Sequence, residues 1–286
     1  MTNIESLTSV ASQVRRDIIR MVSQAGSGHP GGSMSSADFI TALFFKVMKH
    51  SPENWSRDGK GNDMFFLSIG HVSPLFYSVL SRSGYFPIDE MAQFRHYGSR
   101  LQGHPCTEKG LPGVYMPSGS LGQGLSVACG ASLGKKLEKD DRYVYVLLGD
   151  GESEEGQIWE AAMFAAHHKI DNLIAITDWN GQQIDGNVES VMGLGDLKAK
   201  WEAFGWDVLV ADGHNMAEIL NTYDKAKELS GKGKPVMILF RSDMGHGVDF
   251  MAGTHKWHGK APSAEQTEQA LSQLEETLGD FKLIEK

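Results

Sequence analysis

Between Tyr143 and Phe240 the chain alternates short apolar, β-rich runs with longer segments of helical spacing. Strand-like runs stand at 143–148, 173–177, 208–210 and 236–240, and helical patterns fall between them near 154–168, 195–205 and 215–229. Few folds accept this rhythm. Parallel neighbours need a crossover, crossovers are right-handed, and their helices then cover both faces of the sheet. The expectation is an α/β fold built on a doubly wound parallel sheet. Such sheets bind ligands at the carboxyl ends of their strands. Two of the runs end there in oxygen-bearing residues: Asp150 within Gly149-Asp150-Gly151, and Asn180 in the loop after 173–177.

The flanking segments extend the pattern. Ile4, Leu7, Ala11, Val14, Ile18 and Met21 predict an amphipathic helix over 4–25, which stops at the glycine-rich loop around His29. A second helix is expected over about 35–50, a buried strand over 64–70 followed by His71, and helices over 74–83, 89–97 and 124–138. Residues 99–124 show no periodicity. A run that long inside a domain is usually functional, and its glycines and His104 favour that. Ser263 and Gln266 form a capping box for a final helix carrying Leu271, Leu274 and Leu278 and stopping at Gly279. With no repeat or linker, residues 1–286 read as a single domain with a C-terminal helical extension, and the capped helix reads as a natural end before Lys286.

The net charge of −9 with no basic run argues against a nucleic-acid partner. An anionic ligand must then be held by a metal, by backbone N–H groups or by histidines. Two cysteines make no disulfide framework, and neither a leader nor a membrane-length apolar run is visible, so a cytoplasmic protein without membrane contact is expected.

Asp150 suits a hard cation, and Gly151 lets a phosphate approach the backbone at the start of the next helix, where the helix dipole favours negative charge. Asn180 adds a neutral amide oxygen, and a backbone carbonyl near Gln182 is a plausible third ligand. Two phosphate oxygens and a water would complete the octahedron of Mg²⁺. A plain Gly-Asp-Gly turn explains the tripeptide alone equally well. A dinucleotide fingerprint fits worse, because glycine is needed where Glu154 stands. Glu152, Glu154 and Glu155 read as a solvated first helical turn.

With its strands, the Asp150-to-Asn180 spacing resembles the diphosphate-binding motif of thiamine diphosphate enzymes. The segments SGHPGG (His29), LSIGH (His71), GHP (His104), SGSLGQGL, LGDGESEEG, the Asn180 loop ending in IDG, and GTHKWHG (His255, His258) narrow the resemblance to the N-terminal half of transketolase, from the first helix to about residue 262. The resemblance implies a thiamine diphosphate-binding fold. It implies a divalent cation, Mg²⁺ or in its place Ca²⁺ or Mn²⁺, held by Asp150, Asn180 and the Gln182 carbonyl. His71, Gly151 and His258 would contact the cofactor, and Gly119, Ser120 and Leu121 would line its aminopyrimidine. His29, His104 and His258 would bind the sugar and move protons, and Glu155 and Glu160 would lie between paired active sites. His246 and His255 stay unassigned, and His50, His96, His167 and His168 read as ordinary helix residues.

The implied reaction moves a two-carbon ketol unit from a ketose phosphate to an aldose, as in the pentose phosphate pathway. Transketolases are usually more than twice this long, so the resemblance also implies a partner: a separate C-terminal subunit with the pyrimidine-binding and C-terminal domains, in an α2β2 heterotetramer. Trp179 and Ser120 depart from the family pattern and leave the sugar open, with an unusual ketose phosphate as one option. A different thiamine-dependent enzyme, of the 2-oxo acid dehydrogenase α-subunit kind, is the rival, but it would not be expected to carry the four histidines. A non-catalytic module would be expected to have lost Asp150 or Asn180.

Overall fold

The computed structural model describes residues 3–284, so Lys286 and the expectation of a natural end there lie outside the described residues. Its strands are β1 (Met64–Leu67), β2 (Val144–Gly149), β3 (Leu173–Trp179), β4 (Gln182–Gln183), β5 (Gly186–Asn187), β6 (Asp207–Asp212) and β7 (Val236–Arg241). Five of these form one parallel sheet in the order β1-β2-β3-β7-β6, while β4 and β5 make a small antiparallel hairpin. The helices are α1 (Ile4–Ala25), α2 (Pro30–Ser35), α3 (Ala37–Ala42), α4 (Ser73–Arg82), α5 (Gly124–Leu137), α6 (Gly156–His167), α7 (Val188–Met192), α8 (Leu197–Ala203), α9 (Met216–Leu229) and α10 (Ala264–Gln273).

The period-2 pleat divides each central strand between two cores. In β2, Tyr145 and Leu147 pack with α1, α3, α4 and α9, whereas Val144, Val146 and Leu148 pack with α5, α6 and α8. In β7, Ile238 and Phe240 face the first group, and Met237 and Leu239 the second. Burial on both faces explains why these strands read as continuous apolar runs. The doubly wound expectation therefore holds. α6 and α8 share a face because the chain advances across the sheet from β2 to β3 and on to β6. It then turns back to β7, and a right-handed return puts α9 on the other face. Beyond their carboxyl ends, β3 leads toward the α8 side and β7 toward the α1 side, and this divergence opens a crevice.

Several predicted boundaries shift for local reasons. The helix expected over 35–50 begins earlier, at Pro30 inside the expected loop, and is interrupted at Ser36 and again by a wide turn at Leu43–Val47, giving α2 and α3. The segment 89–97 is only a tight 3₁₀ turn, Ile88–Gln93, followed by Arg95 at φ 61°. The capping box of α10 is present, but the helix ends at Gln273 rather than Gly279. There the Arg16 guanidinium of α1 takes the carbonyls of Leu271 and Leu274 at 2.8 and 2.7 Å, closing the helix end. No helix among the described residues is long and apolar enough to cross a membrane.

Candidate active site

Loops from separate elements meet at the carboxyl edge of the sheet around a cavity of about 280 Å³. Asp150 follows β2, Asn180 follows β3, and His71 lies in the turn just after β1. His29 stands at the N-terminus of α2, with Pro30 as the first helical residue, and His258 closes the 3₁₀ turn His255–Trp257 in the segment after β7. His104 and Gly119 come from the long irregular stretch, and His104 is exposed. Glycines permit these approaches. A Cβ on Gly70 would sit 2.5 Å from Ser118 Oγ and 2.9 Å from the Gly119 nitrogen, and one on Gly259 would sit 3.2 Å from the His29 ring.

The acidic side of the cavity is tightly wired. Asp150 is buried and accepts from the Gly151 and Gly181 N–H groups at 2.8 and 2.6 Å. Burial, with the nearby Asp178 charge adding to it, pushes its carboxyl up to about 7 despite these bonds. Asn180 Nδ2 donates to Asp178 (2.9 Å), while its Oδ1 accepts from the Gln182 N–H (2.9 Å). Gln182 and Gly151 also line the cavity. The Gly-Asp-Gly segment opens a short 3₁₀ turn, Gly151–Glu154, and the α-helix itself begins at Gly156, so the backbone next to Gly151 is a tight turn rather than an α-helix end.

Four imidazoles face this acidic wall. The His29 ring lies 5.1 Å from His71, 6.4 Å from His104 and 5.5 Å from His258, and His71 lies 5.0 Å from His258, centroid to centroid. Burial, reinforced by His258, lowers His29 to about 4, and it takes His71 well below the ordinary histidine range. Burial also lowers His104 and His258. All four rings are thus neutral near pH 7, each with one nitrogen able to accept and one able to donate. His29 Nδ1, His258 Nδ1 and Ser118 Oγ are buried without a partner among the described residues. A buried carboxylate and unpartnered ring nitrogens on two histidines of the same cavity lining fit a divalent cation and a polar cofactor.

Not every expected residue lies here. Gly119 and Leu121 line the cavity, but Ser120 is exposed outside its lining. Glu155 and Glu160 are exposed at the start and on the flank of α6, away from the lining. The solvated reading of Glu152 is corrected. It is 3% exposed and accepts from Ser68 Oγ, the Gly122 N–H (2.8 Å) and the Gly149 N–H (3.2 Å), tying the 119–124 segment to β1 and β2. Burial raises it to about 7. Asp178, Gln183, Ile184 and Met244 also line the cavity and were not singled out in the sequence. Asp178 sits inside an apolar strand, where a lone acid was the available signal. His246 lies outside the cavity, stacked on His214 at 3.5 Å.

Comparison with known proteins identifies the family. Residues 6–280 match the family model described as "Transketolase, thiamine diphosphate binding domain". The 6-deoxy-6-sulfo-D-fructose transketolase subunit SqwG of Clostridium sp. is 40% identical, over 93% of this chain and 94% of the relative. An apulose-4-phosphate transketolase subunit of Phocaeicola vulgatus is 38% identical, over 96% of each. The crystal structure of transketolase from Campylobacter jejuni superposes with a TM-score of 0.88 at 34% identity, covering 95% of this chain and 43% of that one. The chain thus spans less than half the length of the solved transketolases it matches. It belongs to the transketolase family, whose members transfer ketol groups, and it corresponds to the family's N-terminal, thiamine diphosphate-binding part.

Proposed function

We propose that this chain is the diphosphate-binding subunit of a split transketolase. One observation carries the reading: Asp150, Asn180 and Gln182 on one wall and His29, His71, His104 and His258 on the other share a single cavity. Asp150, the Asn180 amide oxygen and the Gln182 carbonyl would hold Mg²⁺, or Ca²⁺ or Mn²⁺ in its place, and the cation would neutralise the charge of the cofactor's diphosphate. His71, Gly151 and His258 would contact the cofactor, and Gly119 and Leu121, which line the cavity, would lie along its aminopyrimidine, whereas Ser120 lies outside the lining. When bound, the cofactor supplies an electron sink for breaking and remaking a carbon–carbon bond next to a carbonyl.

The remaining work falls to side chains. Neutral His29, His104 and His258 donate to the sugar's carbonyl and hydroxyl oxygens and accept protons from them as the bond changes. His29, His71 and His258, partly buried, also keep water from the reacting carbon. Glu155, exposed at the start of α6 outside the cavity lining, serves a contact between paired active sites.

A partner chain supplies the pyrimidine-binding and C-terminal domains, in an α2β2 arrangement. Support comes from relatives named as subunits that match this chain over 94% and 96% of their own length, where human transketolase is matched over 44% of its own. The donor is a ketose bearing an anionic group. The two relatives' names point to 6-deoxy-6-sulfo-D-fructose and apulose 4-phosphate rather than to the pentose phosphate pair. Ketol transfer from such a donor to an aldose phosphate is expected only when this chain, its partner, Mg²⁺ and thiamine diphosphate are combined. Full activity from this chain alone would sink the split-enzyme reading.

A further inference from the structure

Asp178 ends the apolar part of β3, two residues before Asn180, and is 1% exposed. Its carboxylate takes part in none of the roles above. Three donors reach it from three elements. Ser35 Oγ at the end of α2 donates at 2.6 Å, Asn180 Nδ2 donates at 2.9 Å, and Ser242 Oγ, just after β7, donates to the other oxygen. α2 begins beside His29, and the segment after β7 runs on to His258. One buried group therefore links the Asn180 loop to two of the histidine-bearing segments.

The chemistry of this contact sets an orientation. A carboxylate only accepts, so the end of the Asn180 amide that faces Asp178 must be its NH₂. The oxygen is then turned away from Asp178, where it accepts from Gln182 N–H and keeps a lone pair free. Rotated by half a turn, the same amide would present N–H groups to a cation and repel it.

We propose that Asp178 is a positioning residue that fixes the Asn180 amide with its oxygen toward the divalent cation and holds that ligand in register with the His29 and His258 segments. This rests on the reading that Asp150, Asn180 and Gln182 form the cation site.

The test is Mn²⁺ affinity, read by electron paramagnetic resonance with thiamine diphosphate in the assembled enzyme, beside thermal unfolding without either ligand. Asp178→Asn, nearly isosteric, leaves one acceptor oxygen for three donors and adds an NH₂ among them, and should weaken Mn²⁺ binding about 10–100-fold, the usual effect of losing a partner that orients a metal ligand. The exchange Asp178→Asn/Asn180→Asp restores a donor–acceptor pair and should recover most of that loss. Asn180→Asp alone sets two carboxylates against each other. It should weaken binding although it adds negative charge beside the cation. Unchanged affinity in Asp178→Asn, tighter binding in Asn180→Asp, or no recovery in the exchange each overturns the proposal. Asp150→Ala separates the two readings. If it still binds Mn²⁺, the cation site itself is misassigned. If it does not, while Asp178→Asn binds normally, only the role of Asp178 falls.

Discussion

The site is braced from behind by a buried ion pair, and that pair gives a quantitative test. Arg82 at the end of α4 reaches Asp17 in the middle of α1 through two nitrogens, at 2.9 and 2.8 Å, and their side chains are 3% and 0% exposed. Ser78 adds a 2.8 Å bond to the same carboxylate. The opposite end of α4 follows directly on the turn that carries His71, so the pair fixes how that helix lies against α1. In Arg82→Met, Asp17 keeps Ser78 and Gln13 but loses its only salt-bridge partner among the described residues. Removing one partner of a buried pair costs about 3–5 kcal/mol. At roughly 2–4 °C per kcal/mol for a domain this large, the melting temperature should fall by about 6–20 °C.

The sign of the pH dependence follows from Asp17. Burial outweighs Arg82 and already holds its carboxyl above the usual carboxylate range. Between the unfolded and folded pKa values the folded state binds the extra proton, so stability falls as pH rises through that window. Loss of Arg82 raises the folded value further. The deficit of Arg82→Met should therefore be largest at neutral pH and shrink toward pH 4. Urea unfolding followed by circular dichroism across pH 4–8 measures it. In Asp17→Leu/Arg82→Met no buried charge is left, and the loss should be much smaller than in the single variant. A single-variant cost below about 1 kcal/mol at pH 7, typical of an exposed pair, would refute the reasoning.

Other expectations concern the site itself. Asp150→Ala should abolish Mg²⁺-dependent thiamine diphosphate binding in the assembled enzyme, seen by titration calorimetry; binding at the wild-type level would remove Asp150 from the cation site. His104→Ala should lower ketol-transfer kcat/KM by about 10²–10⁴, the usual contribution of a positioned acid or base, with little change in unfolding midpoint because His104 is exposed. Gly124→Ala should destabilise the chain and loosen the 119–124 segment, since its Cβ would lie 2.5 Å from Ser68 Cβ and 2.7 Å from Ser68 Cα; a melting temperature unchanged from wild type would contradict the packing. Burial holds His29 and His246 near 4. Between about 4 and 6.5 the unfolded chain takes these two protons first, so their contribution to stability rises with pH, against the fall from Asp150 and Glu152, which burial holds near 7; the stability of wild type relative to His246→Gln should therefore rise across that interval, and no such rise would count against the burial of His246.

The sheet was legible because buried parallel strands leave unbroken apolar runs, and the order of helices and strands follows from that. The four histidines were legible for a different reason: glycine beside histidine marks places where backbone and ring must come close. What the sequence concealed is the acid wiring. Glu152 follows Gly-Asp-Gly as an N-terminal surface glutamate would, and only the return of Gly122 to the same spot shows it buried. Asp178 looked like the polar end of a strand, while its donors Ser35 and Ser242 lie 143 and 64 residues away in sequence.

The position of β7 has a consequence for assembly. It comes last of the five sheet strands in chain order, yet it lies between β3 and β6, with a neighbour on each side. Asp150 and Asn180 are thus made long before the strand that must enter the gap beside them, and His258 arrives only after it. Until β7 enters, β3 and β6 each expose an unpaired backbone edge of the kind that invites association between chains. Closing that gap requires contacts between residues far apart in sequence, which slows folding. In folding terms the histidine-bearing rim is a keystone: the step that covers these exposed edges precedes the arrival of the last histidine beside the other three.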